Sequence, residues 1–161
     1  MDYYKVYLQA ESDKAPVKET ISDFGMYCMD IPFMVANTVK EPTSRNWYDE
    51  DGSDVYVPSE GLKMASYTME VKFGYKGDQF SANDKINAFV NYLKQASMKM
   101  YCDYTKVGRR HVVFSELNDK AELFRDQSGD LLIVTVKFNV TDPVTDVEPE
   151  YSLDKKVISL S

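Results

Sequence analysis

The stretch from Ser66 to Tyr75 alternates strictly between apolar and other side chains, and it constrains the fold more than any other part of this 161-residue chain. Successive side chains of a strand point to opposite faces, so this pattern predicts a strand that buries one face. A strand of this kind is stable only within a sheet. The apolar side chains that we expect on the buried face are Tyr67, Met69, Val71, Phe73 and Tyr75.

An amphipathic helix follows this strand. Apolar residues recur at helical spacing between Ser81 and Ala96, and Ser81 is a suitable N-cap. We expect the apolar stripe to face the sheet. It consists of Ile86, Phe89, Val90 and Leu93.

Several further segments have the pattern of strands, and residues 131–141 are the strongest of them. Their predicted core face consists of Leu132, Val134, Val136, Phe138 and Val140. Residues 109–117 and 121–125 are predicted to be the arms of a hairpin with a turn at Asn118-Asp119, and residues 127–130 form a second turn. The chain is therefore predicted to be mainly β (α+β), an antiparallel β-sandwich or partly rolled barrel with one amphipathic helix packed on its side. We expect residues 1–161 to form a single β-rich domain, with a loosely held C-terminal tail from about residue 143 and an edge strand at Val157-Ile158.

Composition excludes several classes of function. A net charge of −7 argues against sequence-specific binding of nucleic acid and against docking on anionic lipid. The N-terminus lacks a basic region, and no apolar run approaches the ~20 residues that span a bilayer, so a cytoplasmic protein without membrane contact is expected. Two cysteines, Cys28 and Cys102, are too few for a disulfide framework, and we expect both to be free and partly buried.

No set of residues in the sequence points to catalysis. The single histidine, His111, has no second histidine or cysteine cluster beside it, so no metal, cofactor or nucleophile site is predicted. The acidic residues around Gly52 lack the ligand spacing of a calcium loop, and a solvated hairpin tip is the better interpretation. We therefore expect no enzymatic activity.

Residues 45–58 are predicted to form a β-hairpin, because Asp51-Gly52 suits a tight turn between aromatic and β-branched segments. An isolated hairpin is marginally stable in water, so this one must pack on its own domain or on a neighbour. We expect that deletion of residues 46–56 leaves a folded domain that no longer associates; if the hairpin belongs to the core, the deletion unfolds the domain instead. The candidate subunit interface combines this hairpin with a basic spot: Trp47, Tyr48, Asp49, Glu50, Asp51, Tyr56, Lys106, Arg109 and Arg110.

The order of these segments resembles a known family. The aromatic and acidic hairpin precedes the alternating strand ending in Gly-Tyr-Lys-Gly, then the helix, a Tyr-Cys-Asp-Tyr strand, a Gly-Arg-Arg-His-Val-Val-Phe strand and a final Val-Thr-Val-Lys-Phe-Asn-Val-Thr-Asp-Pro. Residues 45–143 resemble tail proteins of long-tailed bacteriophages and prophages, in particular the β-rich domain shared by distal tail proteins and tail-tube subunits. The resemblance implies a non-enzymatic subunit that assembles with copies of itself into rings, typically hexameric, and with other tail proteins. It also implies synthesis in the bacterial cytoplasm and a final location in the virion tail.

A second interpretation stays open. Aromatic side chains on strands also build carbohydrate-binding platforms, and Trp47, Tyr48 and Tyr56 are the candidates for one. A non-catalytic ligand-binding β-sandwich is therefore the alternative, although such aromatics are more often cross-strand packing pairs.

Overall fold

The structure, a computed structural model, describes residues 3–12, 15–118 and 121–161. Within these residues the chain forms twelve strands and two helices. The elements in chain order are β1 (Val6–Ala10), β2 (Lys18–Glu19), α1 (Thr20–Phe24), β3 (Tyr27–Asp30), β4 (Ser44–Arg45), β5 (Asp54–Val55), β6 (Tyr67–Gly77), α2 (Ala82–Leu93), β7 (Met98–Cys102), β8 (Val107–Leu117), β9 (Glu122–Asp126), β10 (Gly129–Val140), β11 (Pro149–Tyr151) and β12 (Val157–Leu160).

Eight of the strands form one antiparallel sheet in the order β2-β1-β7-β8-β10-β6-β3, with β9 also paired to β10. The sheet curls, because Tyr4, just before β1, makes a backbone bridge to Cys28 of β3 at the opposite end of the strand order. The Tyr4 backbone N–H donates to the Cys28 carbonyl oxygen at 3.0 Å. The predicted fold class is confirmed: the protein is mainly β, antiparallel and partly rolled, with a helix on the sheet.

The two long central strands, β6 and β10, supply the core face that alternation predicts. They pair over their whole length, from Tyr67 opposite Val140 to Gly77 opposite Asp130. Their inward side chains are buried in the core, with Tyr67 partly buried at its margin. The inward residues of β10 are Leu132, Val134, Val136, Phe138 and Val140.

Helix α2 packs on the inner face of the sheet as predicted. Phe89 and Leu93 are buried, and the Phe89 ring meets the Phe73 ring edge to face with 5.2 Å between centroids. Ile86 is partly buried against the core, and Val90 is half-buried. The short helix α1 adds a second helical element that the sequence pattern does not indicate.

Ser81 holds the N-cap position of α2, but its side chain makes no cap hydrogen bond. The Ala82 backbone N–H instead donates to Asp130 Oδ2 at 3.2 Å, so a carboxylate from β10 satisfies the start of the helix. Asp130 also accepts hydrogen bonds from Arg125, which binds it through Nε at 2.7 Å. These contacts join α2 to the β9–β10 hairpin.

The predicted hairpin between residues 109–117 and 121–125 is wrong. Its proposed turn residue Asp119 lies outside the described residues, but the strands on either side pair with the same neighbour. Strand β8 pairs with residues 136–140 of β10 and β9 pairs with residues 129–133, both antiparallel to it. Because β8 and β9 run in the same direction, they extend one another along one edge of β10. The hairpin lies one connection later, at the predicted turn between β9 and β10.

The segment after Pro143, predicted to be loosely held, contains the β11–β12 hairpin and packs on the outer face of the sheet. Val147 and Leu160 are buried. Gln9 Oε1 accepts a hydrogen bond from the Leu160 backbone N–H at 2.8 Å, and Lys99 Nζ donates to the Leu160 carbonyl at 2.9 Å. Strand β12 includes the predicted edge strand Val157-Ile158, paired with β11. A single domain over residues 1–161 stays a prediction.

Candidate interaction surfaces

Residues 38–65 form an extended β-arm, which carries the predicted hairpin at its far end. At its base, Val39 bridges to Met64, and the Lys40 backbone N–H donates to the Lys63 carbonyl at 2.8 Å. Further out, β4 pairs with β5 as a two-stranded sheet separate from the main one. The arm is therefore held to the domain by its base, and in its outer part β4 and β5 pair only with each other.

The outer part of the arm leaves large apolar side chains in solvent. Tyr48 is fully exposed, and Tyr56 and Val57 keep 67% and 56% of their surface. Trp47 is 48% exposed. Several large exposed apolar side chains on one short segment are typical of an interaction site, so the arm is a candidate contact surface.

The tip of the arm is acidic and locally ordered. Trp47 Nε1 donates to Asp54 Oδ2 at 3.1 Å, and the Arg45 guanidinium lies 5.8 Å from the centre of the Trp47 ring. Gly52 has a φ of 77°, but Arg45 pairs with Asp54, so residues 46–53 connect β4 to β5. The tight two-residue turn predicted at Asp51-Gly52 is therefore wrong, because the strands pair further from the tip than local turn chemistry indicates. The remaining tip carboxylates, Asp49, Glu50 and Asp51, are exposed.

The predicted basic spot lies on β8 and in the turn before it, and each of its members pairs with a carboxylate of its own chain. Lys106 Nζ lies 2.7 Å from Asp103 Oδ1, and Arg110 Nε lies 2.5 Å from Asp142 Oδ2.

The third member, Arg109, is nearly buried and pairs with Asp146. Because these pairs use the charges within the subunit, the basic spot gives less support to an interface between copies than the arm does. Its interface role stays a prediction.

A groove on the outer face of the sheet is a second candidate surface, which the sequence analysis missed. Tyr3 and Tyr27, whose ring centroids are 4.8 Å apart, line one side with Met29, and Leu131 and Ile133 line the other. Gly74 forms its floor, and the volume is about 480 Å³. We call this the outer groove. Its signal in the sequence is the unbroken apolar run Leu131-Leu132-Ile133, which is typical of a strand covered on both faces.

The described residues hold no arrangement typical of catalysis. His111 Nδ1 lies 2.7 Å from Glu11 Oε2, which also accepts a hydrogen bond from Ser97 Oγ, so the histidine has a structural partner. Burial raises the pKa of Cys28 to about 12, which makes a reactive thiolate unfavourable. Among residues 3–12, 15–118 and 121–161, no group of three or more metal-binding side chains is found. No helix in this part of the chain is long and apolar enough to cross a membrane.

Comparison with known proteins gives a match in structure but none in sequence. Neither protein-family profiles nor curated proteins match the chain. A solved structure, the SPP1 Dit protein, described as a paradigm of the hub adsorption apparatus in phages that infect Gram-positive bacteria, matches with a TM-score of 0.57. The match covers 89% of this chain and 52% of that chain at 12% sequence identity. The chain therefore spans about half the length of that protein and shares its fold over that half.

Proposed function

We propose that this protein is a non-enzymatic structural subunit of a phage or prophage tail, which assembles with copies of itself into a ring and contacts other tail proteins. The observation that carries the proposal is the arm, whose side chains Trp47, Tyr48 and Tyr56 keep about half or more of their surface in solvent. The shared fold with a phage hub protein supports the same role. The protein is then made in the bacterial cytoplasm and becomes part of the virion tail.

The arm accounts for assembly in physical terms. An isolated two-stranded hairpin is marginally stable in water, and covering its aromatic side chains releases about 25 cal/mol per Å² of apolar surface. A neighbouring copy offers that cover at no cost to the fold of the subunit. Aromatic side chains are also the residues that most often dominate the binding energy of interfaces.

Removal of the arm tests the proposal. Because Lys40 and Lys63 are hydrogen-bonded across the base, residues 41–62 can be replaced by a two-residue Asn-Gly turn that closes the hairpin there. We expect the intact protein to sediment as an oligomer and to form rings in electron micrographs. The shortened protein is expected to sediment as a monomer with an unchanged unfolding midpoint.

The matched control is Leu153→Ser, which removes a fully exposed apolar side chain from the other hairpin, β11–β12. This variant is expected to assemble like the intact protein. A strictly monomeric intact protein at high concentration and at every salt concentration would contradict the proposal. So would a shortened protein that assembles normally.

Binding of carbohydrate by the arm is the second candidate, favoured by the exposure of Trp47, Tyr48 and Tyr56. Trp47 is the single tryptophan, so its fluorescence reports directly on any ligand that stacks on the arm. Titration against a panel of glycans is expected to leave the fluorescence and the melting temperature unchanged if the arm serves assembly. A saturable change would favour the second candidate instead.

A further inference from the structure

The outer face of the sheet is covered on one half and open on the other. The covered half consists of β1, β7 and residues 107–112 of β8, over which the β11–β12 hairpin lies. There Tyr101 is 5% and Gln9 is 8% exposed. The open half consists of β3, β6, β9 and β10. There Leu131 keeps 40% and Phe124 keeps 55% of its surface.

The apolar side chains of the open half are arranged as a continuous surface. Ile133 pairs with Gly74, which in turn pairs with Tyr27, so these positions form one row across three strands. The next row runs from Lys76 through Leu131 to Phe124. Because cross-strand partners share a face, both rows line the outer groove or its edge.

We infer that the outer groove of one copy is the docking site for the arm of a second copy. This inference rests on the proposed assembly function and names the surface that receives the arm. Each copy then gives one arm and receives one, which is a heterologous contact. Heterologous contacts generate closed rings when the rotation between copies closes.

The chain itself shows what kind of cover this sheet accepts. On the covered half, a two-stranded hairpin buries the outward-facing Tyr101 and Gln9. The arm is also a two-stranded hairpin, and its aromatic side chains are exposed. The open half therefore has no hairpin over it, unlike the covered half. The arm is a hairpin with exposed aromatic side chains and no sheet surface beneath it, so the two match.

Lysines on the open half can contact the acidic tip of the arm. The arm ends in the exposed carboxylates of Asp49, Glu50 and Asp51. Lys76 lines the groove, and Lys72 lies on the same outward face of β6. The surface also carries carboxylates: Asp30 is the cross-strand partner of Lys72, and Glu122 lies opposite Ile133. These lysines can meet the acidic tip at the rim of the contact, where charge pairs mainly fix register and salt dependence.

Disulfide trapping between two differently tagged copies tests the contact directly. One copy carries Ser53→Cys at the arm tip, and the other carries Glu122→Cys, which lies in the groove row opposite Ile133. Cys28 and Cys102 are buried, so the introduced thiols are the accessible ones. We expect the mixed dimer to form from this pair and not from a control pair that combines Ser53→Cys with Leu153→Cys on the covered half.

A substitution in the groove provides the second measurement. Leu131→Glu places a charge on the apolar surface and is expected to weaken self-association about tenfold or more, with an unchanged unfolding midpoint of the monomer. The control is Ile158→Glu, at an exposed apolar position of the β11–β12 hairpin, which is expected to assemble normally.

The outcomes separate this inference from the proposed function. The docking site is overturned if the intact protein assembles, Leu131→Glu has no effect on assembly, and the Ser53→Cys and Glu122→Cys copies form no more mixed dimer than the control pair. The proposed assembly function still stands in that case. An intact protein that never assembles overturns both. Selective trapping together with weakened assembly of Leu131→Glu supports both.

Discussion

Both halves of the outer sheet face carry tyrosine side chains, Tyr7 and Tyr101 on the covered half and Tyr27 on the open half, but they differ in what lies over them. On the covered half, burial is the largest cause that raises the pKa of Tyr7 and Tyr101, and Tyr151 of β11 is among the other causes. On the open half, Tyr3 and Leu131 remain partly in solvent. The difference shows that a strand with two apolar faces does not by itself reveal whether its own chain covers the second face or a partner does.

The inner face is common to both halves, and a charge there is expected to have the largest effect of all. Val136 is fully buried in the middle of β10, so Val136→Asp places an unpaired carboxylate in the core and is expected to abolish folding. Thr135→Asp, one residue earlier and on the outer face, is the matched control and is expected to fold. Circular dichroism and solubility distinguish the two. Soluble, native-like Val136→Asp would show that the faces of β10 are assigned the wrong way round.

We call residues 143–161, which include the β11–β12 hairpin, the cover. Shortening a buried side chain of the cover is expected to have the next largest effect. Leu160 of β12 is buried between the cover and the covered half of the sheet. Leu160→Ala should cost about 2–5 kcal/mol in the free energy of unfolding. Leu131→Ser on the open half should change the free energy of unfolding of the monomer by less than about 0.5 kcal/mol. Urea denaturation at low protein concentration measures both. Equal costs would mean that the open half is already covered within the monomer.

Two glycines provide a finer comparison of the halves. A Cβ on Gly108 would meet the Val147 carbonyl oxygen and come within 2.6 Å of Val147 Cγ2, so Gly108→Ala must displace the backbone of the cover. We expect a cost of about 1–3 kcal/mol. A Cβ on Gly74 would lie 2.8 Å from Met29 Sδ, the flexible end of a side chain that can move aside.

Gly74→Ala should therefore cost less than about 1 kcal/mol. Urea denaturation of the two alanine variants tests the difference. A larger cost for Gly74→Ala than for Gly108→Ala would show that the open half is the more tightly packed of the two.

The sequence predicts the inner face well because that face is set by local alternation. The period of two in β6 and β10 and the helical stripe of α2 identify buried residues directly. Prediction from the sequence fails where the surroundings of a residue depend on partners that are distant in the chain. Arg110 and Asp142 are 32 residues apart, so the sequence shows their charges but not that they neutralise each other.

Two further differences have the same origin. The sequence between β8 and β9 has the composition of a turn. Composition alone cannot distinguish a turn that reverses the chain direction from an interruption between two segments that pair with the same strand, β10. The outer groove was missed because Leu131 and Ile133 occupy what alternation designates as the solvent face. Their side chains are apolar on that face, and the period alone does not say what they contact.

The smallest expected effect depends on pH and compares two carboxylates at the ends of β10, Asp130 at its start and Asp142 just after its end. Arg125 is the main cause that lowers the pKa of Asp130 to about 2, in the contact that joins the β9–β10 hairpin to α2. Burial opposes ionisation of Asp142, but hydrogen bonds from Arg110 and Thr145 outweigh it and lower its pKa to about 2 as well, where the chain leaves β10 for the cover.

Both folded-state pKa values lie below the ~3.9 of an unfolded aspartate, so each carboxylate stabilises the fold above about pH 4 and loses that contribution as the pH falls towards 2. Asp130→Asn and Asp142→Asn are therefore expected to lower the melting temperature at pH 6 and to approach the unsubstituted protein at pH 2. Limited proteolysis distinguishes the effects of the two substitutions. At pH 6 Asp142→Asn should speed cleavage within residues 143–161, because it loosens the start of the cover, whereas Asp130→Asn should leave that segment as protected as before. Equal cleavage in the two variants would mean that the Arg110–Asp142 pair does not hold the cover in place.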